Sequence, residues 1–279
     1  MSVSVLLVVL AGALLHASWN LLVKAGHDTQ LAIAGVYICA GLLSALALPF
    51  LAPPAPASWP YLAASMGAEL VYGMLLAAVY RVGDLSHAYP LMRGTAPLLV
   101  AIGSGALIGE HLSRAVWIGV ALVSCGIFST ILDARSQPRS ATATRLALLN
   151  AFVIAAYTTI DGLGVRVSGQ PVAYSLWLFV LIGVPWLIWA TVQRRPNRWG
   201  QLRRQIPSAA VGGACSVAAY TLALWAMTRA PVAAVAAVRE VSIVFATALG
   251  AIVLHERVTW VRALAAVAIA LGVWAIRAH

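Results

Sequence analysis

The stretch "RGTAPLLVAIGSGALIGEHLSRAVWIGVALVSCGIFS", Arg93 to Ser129, decides the fold once it is set over "REVSIVFATALGAIVLHERVTWVRALAAVAIALGVWA", Arg239 to Ala275. At a constant offset of 146 residues and with no gap, Arg93 meets Arg239, Glu110 meets Glu256, Gly126 meets Gly272, and Leu112-Ser113 meets Val258-Thr259. Identities are few, but they fall on polar and glycine positions, where chance between two Ala/Val/Leu-rich strings is least generous. One half of the chain repeats the other.

Composition identifies the solvent in which that repeat folds. The 279 residues are 62% hydrophobic and 9% charged, whereas soluble domains carry about 25% charged residues. One helical span needs about 20 apolar residues, and ten such windows follow one another: 3–22, 31–51, 59–80, 86–109, 114–132, 144–163, 171–193, 207–228, 231–254 and 258–276. They lack the period-two alternation of a membrane barrel and are rich in Ala, Leu, Val and Gly, which suits closely approaching helices in lipid. The expected class is an all-α integral membrane protein. The first window lacks a positive start and contains His16, Trp19 and Asn20, so it reads as a span rather than a removable leader. Cys39, Cys125 and Cys215 lie far apart inside spans and predict neither a disulfide framework nor a metal site.

Ten spans divide into a first five-helix repeat over 1–132, a polar linker over 133–143 and a second five-helix repeat over 144–279. The first spans of the halves also correspond: "HASWN" meets "YTTID", with His16 over Tyr157 and Asn20 over Asp161. Five is odd, so the second repeat enters the membrane from the opposite side. Inverted repeats of this kind bind substrate near the midplane between the halves and alternate access by rocking one against the other.

The net charge of +10 does not indicate a nucleic-acid partner, because the charges sit in loops. "DARSQPRSATATR" and "RRPNRWGQLRR" hold eight of the eighteen basic residues, and basic loops beside membrane helices face an anionic cytoplasmic leaflet. Loops after the odd-numbered spans carry twelve basic residues and the others four. By that count both termini lie outside.

Together these features resemble the EamA-type transporters of the drug/metabolite transporter superfamily. The motifs are "GEHLSRAVWIGVALVSCGI" and "HERVTWVRALAAVAIALGV", each a short acidic loop followed by a glycine-bearing last helix. The resemblance covers essentially the whole chain and implies a multi-pass protein of the cell membrane, a bacterial inner membrane in the first instance. The family includes exporters of amino acids, amines and other metabolites. This chain departs from it with His255 where Gly commonly precedes the Glu. The cytoplasmic termini usual in the family also oppose the loop-charge count, so orientation stays open.

Within the spans lie polar residues that lipid does not tolerate cheaply. A charge at the bilayer centre costs between about 2.5 and over 10 kcal/mol, so such groups face a wet cavity or one another. Candidate substrate ligands are His16, Asn20, Tyr72, Tyr89, Arg93, Tyr157, Tyr220 and Arg239, and candidate coupling carboxylates are Asp161, Glu69 and Glu240. Asp161, near mid-span on the face of Tyr157, is the preferred proton carrier, ahead of Glu69. The bland alternative is a structural ion pair, for instance Glu240 bonded to an arginine. Lys24 reads as a snorkelling helix-end residue, Glu110, Glu256, Arg81 and Arg229 as loop or interface residues, and His87 as cap or lining. Pro90 and Pro97 read equally as kinks or as tolerated membrane prolines.

The function expected is a secondary transporter, an exporter of a small amphiphilic metabolite such as an amino acid, with proton coupling among its options. The runner-up is an uncoupled facilitator for an amine or organophosphorus solute, and an intramembrane enzyme comes last. "AIGSGALIG" around Ser104 lacks the strand-turn-helix context of a serine nucleophile, and no nucleotide loop or H-E-x-x-H is present. No cofactor is called for, the partners are the substrate, the lipid bilayer and, where transport is coupled, protons, and ten helices enclose a site without oligomerisation.

Overall fold

The computed structural model describes residues 1–24, 29–82, 85–133, 140–192, 198–253, 255 and 258–278. Glu256, the loop arginines Arg135, Arg139, Arg194, Arg195 and Arg257, and most of the linker over 133–143 lie outside them.

Helices account for the architecture: α1 (Val3–Lys24), α2 (Thr29–Ala47), α3 (Trp59–Val82), α4 (Leu85–Gly103), α5 (Arg114–Ser129), α6 (Ala141–Ser168), α7 (Pro171–Val192), α8 (Arg198–Met227), α9 (Val232–Arg239), α10 (Ser242–Val253) and α11 (Trp260–Arg277). Among the described residues nine segments are long and apolar enough to cross a membrane, with α9 and α10 forming one of them. The 24-residue α3, with Glu69 near its middle, lies in the same bundle and makes the tenth crossing. Leu46, Ile102, Phe152 and Trp274 point outward, as the lipid-facing side of such a bundle requires.

The repeat is visible in local chemistry. Ser113 caps α5 by accepting from the Val116 N–H at 3.3 Å, and Thr259, its equivalent at the 146-residue offset, caps α11 by accepting from the Arg262 N–H at 3.3 Å. It is also visible in packing. The first helix of each half lies against the other half, α1 on α8 and α10, and α6 on α3 and α4. Equivalent helices meet in pairs, α2 with α7 and α5 with α11. Gly119 and Gly272 allow the second pair its close approach: a Cβ on Gly119 would stand 2.6 Å from the Gly272 carbonyl oxygen.

Two elements depart from the sequence expectation. The ninth span, expected as one helix over 231–254, is broken at Glu240-Val241. There the Glu240 N–H donates to Ala237 at 3.1 Å and the Ile243 N–H to Glu240 at 3.0 Å, three-residue bonds that tighten the turn. The charged pair Arg239-Glu240 sits at that break. The fourth span ends in a π-turn over Ser104–Ile108, after which Gly109 takes φ 73° and reverses the chain before Glu110. A side chain at that φ would be strained, so glycine suits the position.

Consecutive crossings alternate, so the chain has a Val3 face, with the ends at Ile108, Ser168 and Met227, and a Lys24 face, with the ends at Val82 and Val192. A hydrogen bond from the Ala55 N–H to the Ser168 carbonyl, 3.0 Å, joins loops of the Val3 face. Of the basic residues counted above, Lys24, Arg81, Arg145 and Arg262 lie at helix ends on the Lys24 face.

Candidate functional site

A cavity of about 110 Å³ lies between the two halves. Its lining comes from the last turns of α1, the first turns of α2 and α4, the middle of α3, α6 and α7, the later part of α8 and the end of α9. It is thus displaced from mid-bundle toward the Lys24 face.

The α1 stripe reaches this cavity. His16 accepts from the Trp19 indole N–H at 3.3 Å, with the rings edge to face, and Asn20 donates to the His16 carbonyl at 2.7 Å. Helical spacing puts His16, Trp19, Asn20 and Val23 on one face, and all four line the cavity. Lys24 lies at the exposed helix end. Opposite stand the aromatics, with Tyr72 and Tyr157 edge to face at 6.0 Å and Phe179 against Tyr220 at 6.2 Å.

The charged groups divide into committed and uncommitted ones. Arg93 on α4 pairs with Glu240 at the break of the ninth span, 2.9 Å from Nε to Oε2 and largely buried. Arg239 lies 5.0 Å above the centre of the Tyr220 ring. Among the described residues neither Arg239 nor Glu69 has an ion-pair partner, and both line the cavity. A free guanidinium and a free carboxylate therefore stand in one aromatic chamber, able to meet an anionic and a cationic group respectively.

Of the residues expected from sequence, His16, Asn20, Glu69, Tyr72, Tyr89, Arg93, Tyr157, Tyr220 and Arg239 line this one cavity. Asp161 and Glu240 do not. Asp161, one helical turn beyond Tyr157 toward the Val3 face, is fully buried and accepts from the Tyr174 hydroxyl at 2.9 Å and the Tyr220 hydroxyl at 2.5 Å. The tyrosines of α7 and α8 enclose it, so it sits behind the Tyr220 ring. Glu240 turns toward Arg93, the structural pairing named as the bland alternative. His87 meets Thr144 at 3.2 Å and is absent from the lining.

Sequence reasoning passed over several residues that matter here. Trp19 and Tyr37 line the cavity, and Trp19 was discoverable as the i+3 neighbour of His16. Tyr174 carried no signal, because an apolar helix with one tyrosine looks the same whether or not a carboxylate waits across from it. Glu110 and Arg166, set aside as loop residues or counted only as loop charge, form an ion pair at 2.6 Å. Among the described residues no group of three or more His, Cys, Asp or Glu gathers as a metal site would require.

Comparison with known proteins supplies the family. Residues 142–278 match the model of the EamA-like transporter family. A solved crystal structure superposes with a TM-score of 0.73 over 99% of this chain and 96% of its own at 17% sequence identity, a likeness of fold alone. No curated protein sequence matches the chain. The family match falls on the second repeat, so residues 142–278 belong to the EamA-like transporters of the drug/metabolite transporter superfamily, and the shared fold spans both repeats.

Proposed function

We propose that this membrane transporter is a secondary exporter of a small amphiphilic or zwitterionic metabolite such as an amino acid. It works by alternating access between its two inverted repeats, in a cell membrane of the bacterial inner-membrane type. The observation that carries this reading is the uncommitted pair: Glu69 and Arg239 face one cavity without ion-pair partners among the described residues. Leaving both charges in a bilayer is costly, and a solute bearing the complementary charges offsets that cost when it binds. The apolar wall of Leu178, Phe179 and Ile182 on α7 suits the rest of an amphiphilic solute.

Protons are the proposed coupling ion, with Asp161 as carrier ahead of Glu69. Support comes from its position directly behind Tyr220, where a substrate-induced shift of that ring would connect the carboxylate to the cavity. Purified protein in liposomes tests the whole reading. Across a panel of amino acids, amines and organophosphorus compounds, zwitterions are expected to accumulate under an imposed pH gradient. Flux restricted to solutes of a single charge would defeat the assignment, and zwitterion flux indifferent to the gradient would leave a facilitator.

A further inference from the structure

The Val3 face carries a charged contact that the cavity does not use. Gly109 turns the chain so that Glu110 points back into the bundle, where both its carboxylate oxygens accept from the Val232 N–H at 3.0 Å, at the start of α9. The same carboxylate receives Arg166 from the end of α6 at 2.6 Å. Arg166 also donates through Nε to the Met227 carbonyl at 2.9 Å and through a terminal nitrogen to the Ala230 carbonyl at 3.1 Å.

Helix packing shows what this contact joins. α6 lies with α3 and α4, whereas α1 lies with α8 and α10. The Glu110–Arg166 pair is internal to the first group, being contributed by the α4–α5 loop and α6. Its remaining hydrogen bonds all go to the α8–α9 turn of the second. One ion pair thus grips the opposite group at three main-chain groups, the Val232 N–H and the Met227 and Ala230 carbonyls. Beneath it Val232 sits wholly buried against Gly162 of α6, and beneath that Tyr220 of α8 reaches Asp161 of α6. These layers separate the cavity from the Val3 face.

We infer that Glu110 and Arg166 are positioning residues of the transport cycle, a latch that holds the Val3 face closed while the cavity lies toward the Lys24 face. To move the cavity to the Val3 face, the two groups must part there, and the only charges in that seam among the described residues that span both groups are these. The carbonyls of Met227 and Ala230 and the N–H of Val232 then pass to water at the membrane surface, which satisfies them at little cost. The latch therefore biases an equilibrium rather than locking it. It rests on the alternating-access reading above, but its test needs no substrate, so either can fail alone.

Two single-cysteine reporters decide the matter in a full-length chain with Cys39, Cys125 and Cys215 replaced by Ala. Val232→Cys reports the seam at the Val3 face, and Val23→Cys reports the cavity near the Lys24 face. Labelling by a membrane-impermeant maleimide is followed in each background. With Glu110→Gln or Arg166→Gln the Val232→Cys reporter should label at least threefold faster, while the Val23→Cys reporter labels at least twofold slower, because one face closes as the other opens. Glu110→Asp and Arg166→Lys should give smaller shifts in the same directions, and they carry the test if a Gln variant fails to insert. Unchanged labelling at Val232→Cys, or a rise at both reporters together, would overturn the latch and leave a structural contact.

Discussion

The Tyr220 hydroxyl donates to Asp161 at 2.5 Å while the guanidinium of Arg239 lies 5.0 Å above the same ring. One side chain therefore touches both the buried carboxylate and the cavity's uncommitted cation. On the proposed function the arrangement separates two roles that a single cavity lining would merge: Arg239 and Glu69 would meet the solute, and Asp161 would carry the proton from behind the Tyr220 ring.

Asp161→Asn keeps one acceptor oxygen for a tyrosine hydroxyl, turns the other contact into an amide N–H donating to a hydroxyl oxygen, and removes the ionisable group. In proteoliposomes it should abolish accumulation driven by a pH gradient while downhill exchange or binding of the same zwitterion stays measurable. Uphill accumulation at the native rate would take coupling away from Asp161, and loss of binding as well would make it a ligand.

Arg239→Lys preserves charge but loses the planar fork and its stacking on Tyr220. Half-saturation for an anionic or zwitterionic solute should rise about tenfold, on the order of 1.4 kcal/mol. Arg93→Lys should change it less, since Arg93 already serves Glu240. Equal effects from the two substitutions would return both arginines to the binding site.

The Arg93–Glu240 pair, with side chains 12% and 7% exposed, is a bundle contact joining α4 to the broken span. Removing one partner leaves a buried charge and should cost about 3–5 kcal/mol. In detergent, Arg93→Met alone should lower the unfolding midpoint more than Arg93→Met with Glu240→Gln. If the double variant is the less stable by the sum of the singles, the groups are not coupled.

Packing of α5 on α11 depends on absent side chains. Gly119→Ala would place a methyl group against Ile276 and 2.6 Å from the Gly272 carbonyl, whereas Gly67→Ala on α3 meets nothing within 4 Å. The first should destabilise by about 1–3 kcal/mol, and the second should leave thermal unfolding unchanged or slightly improved. Indistinguishable midpoints would show that α5 and α11 adjust freely.

The polar stripe of α1 shows how far the chain alone could be read. His16 and Asn20 stand four apart in an apolar run, and only a helix in lipid makes that spacing a face. Likewise, the 146-residue correspondence of Arg93 with Arg239 and of Ser113 with Thr259 identified two related halves, and an odd number of spans in each made them inverted. These are properties of periodicity and composition, so the all-helical membrane class and the family were legible without coordinates.

Partner choice was not legible, because it depends on residues distant in sequence meeting across helices. The repeat does not say which of the equivalent Arg93 and Arg239 a carboxylate will take, yet one is taken by Glu240 and the other lies over Tyr220. The break at Glu240-Val241 accompanies that difference, since the carboxylate follows Arg239 but not Arg93, where Gly94 stands instead. Asp161 looked like a cavity residue until Tyr174 and Tyr220 arrived from two other helices to enclose it. Glu110 looked like an ordinary loop carboxylate until the turn at Gly109 carried it to Arg166, 56 residues away, and to the first N–H of α9. Charge in a bilayer must find a partner, and which partner it finds is decided by the tertiary approach of helices that local sequence does not encode.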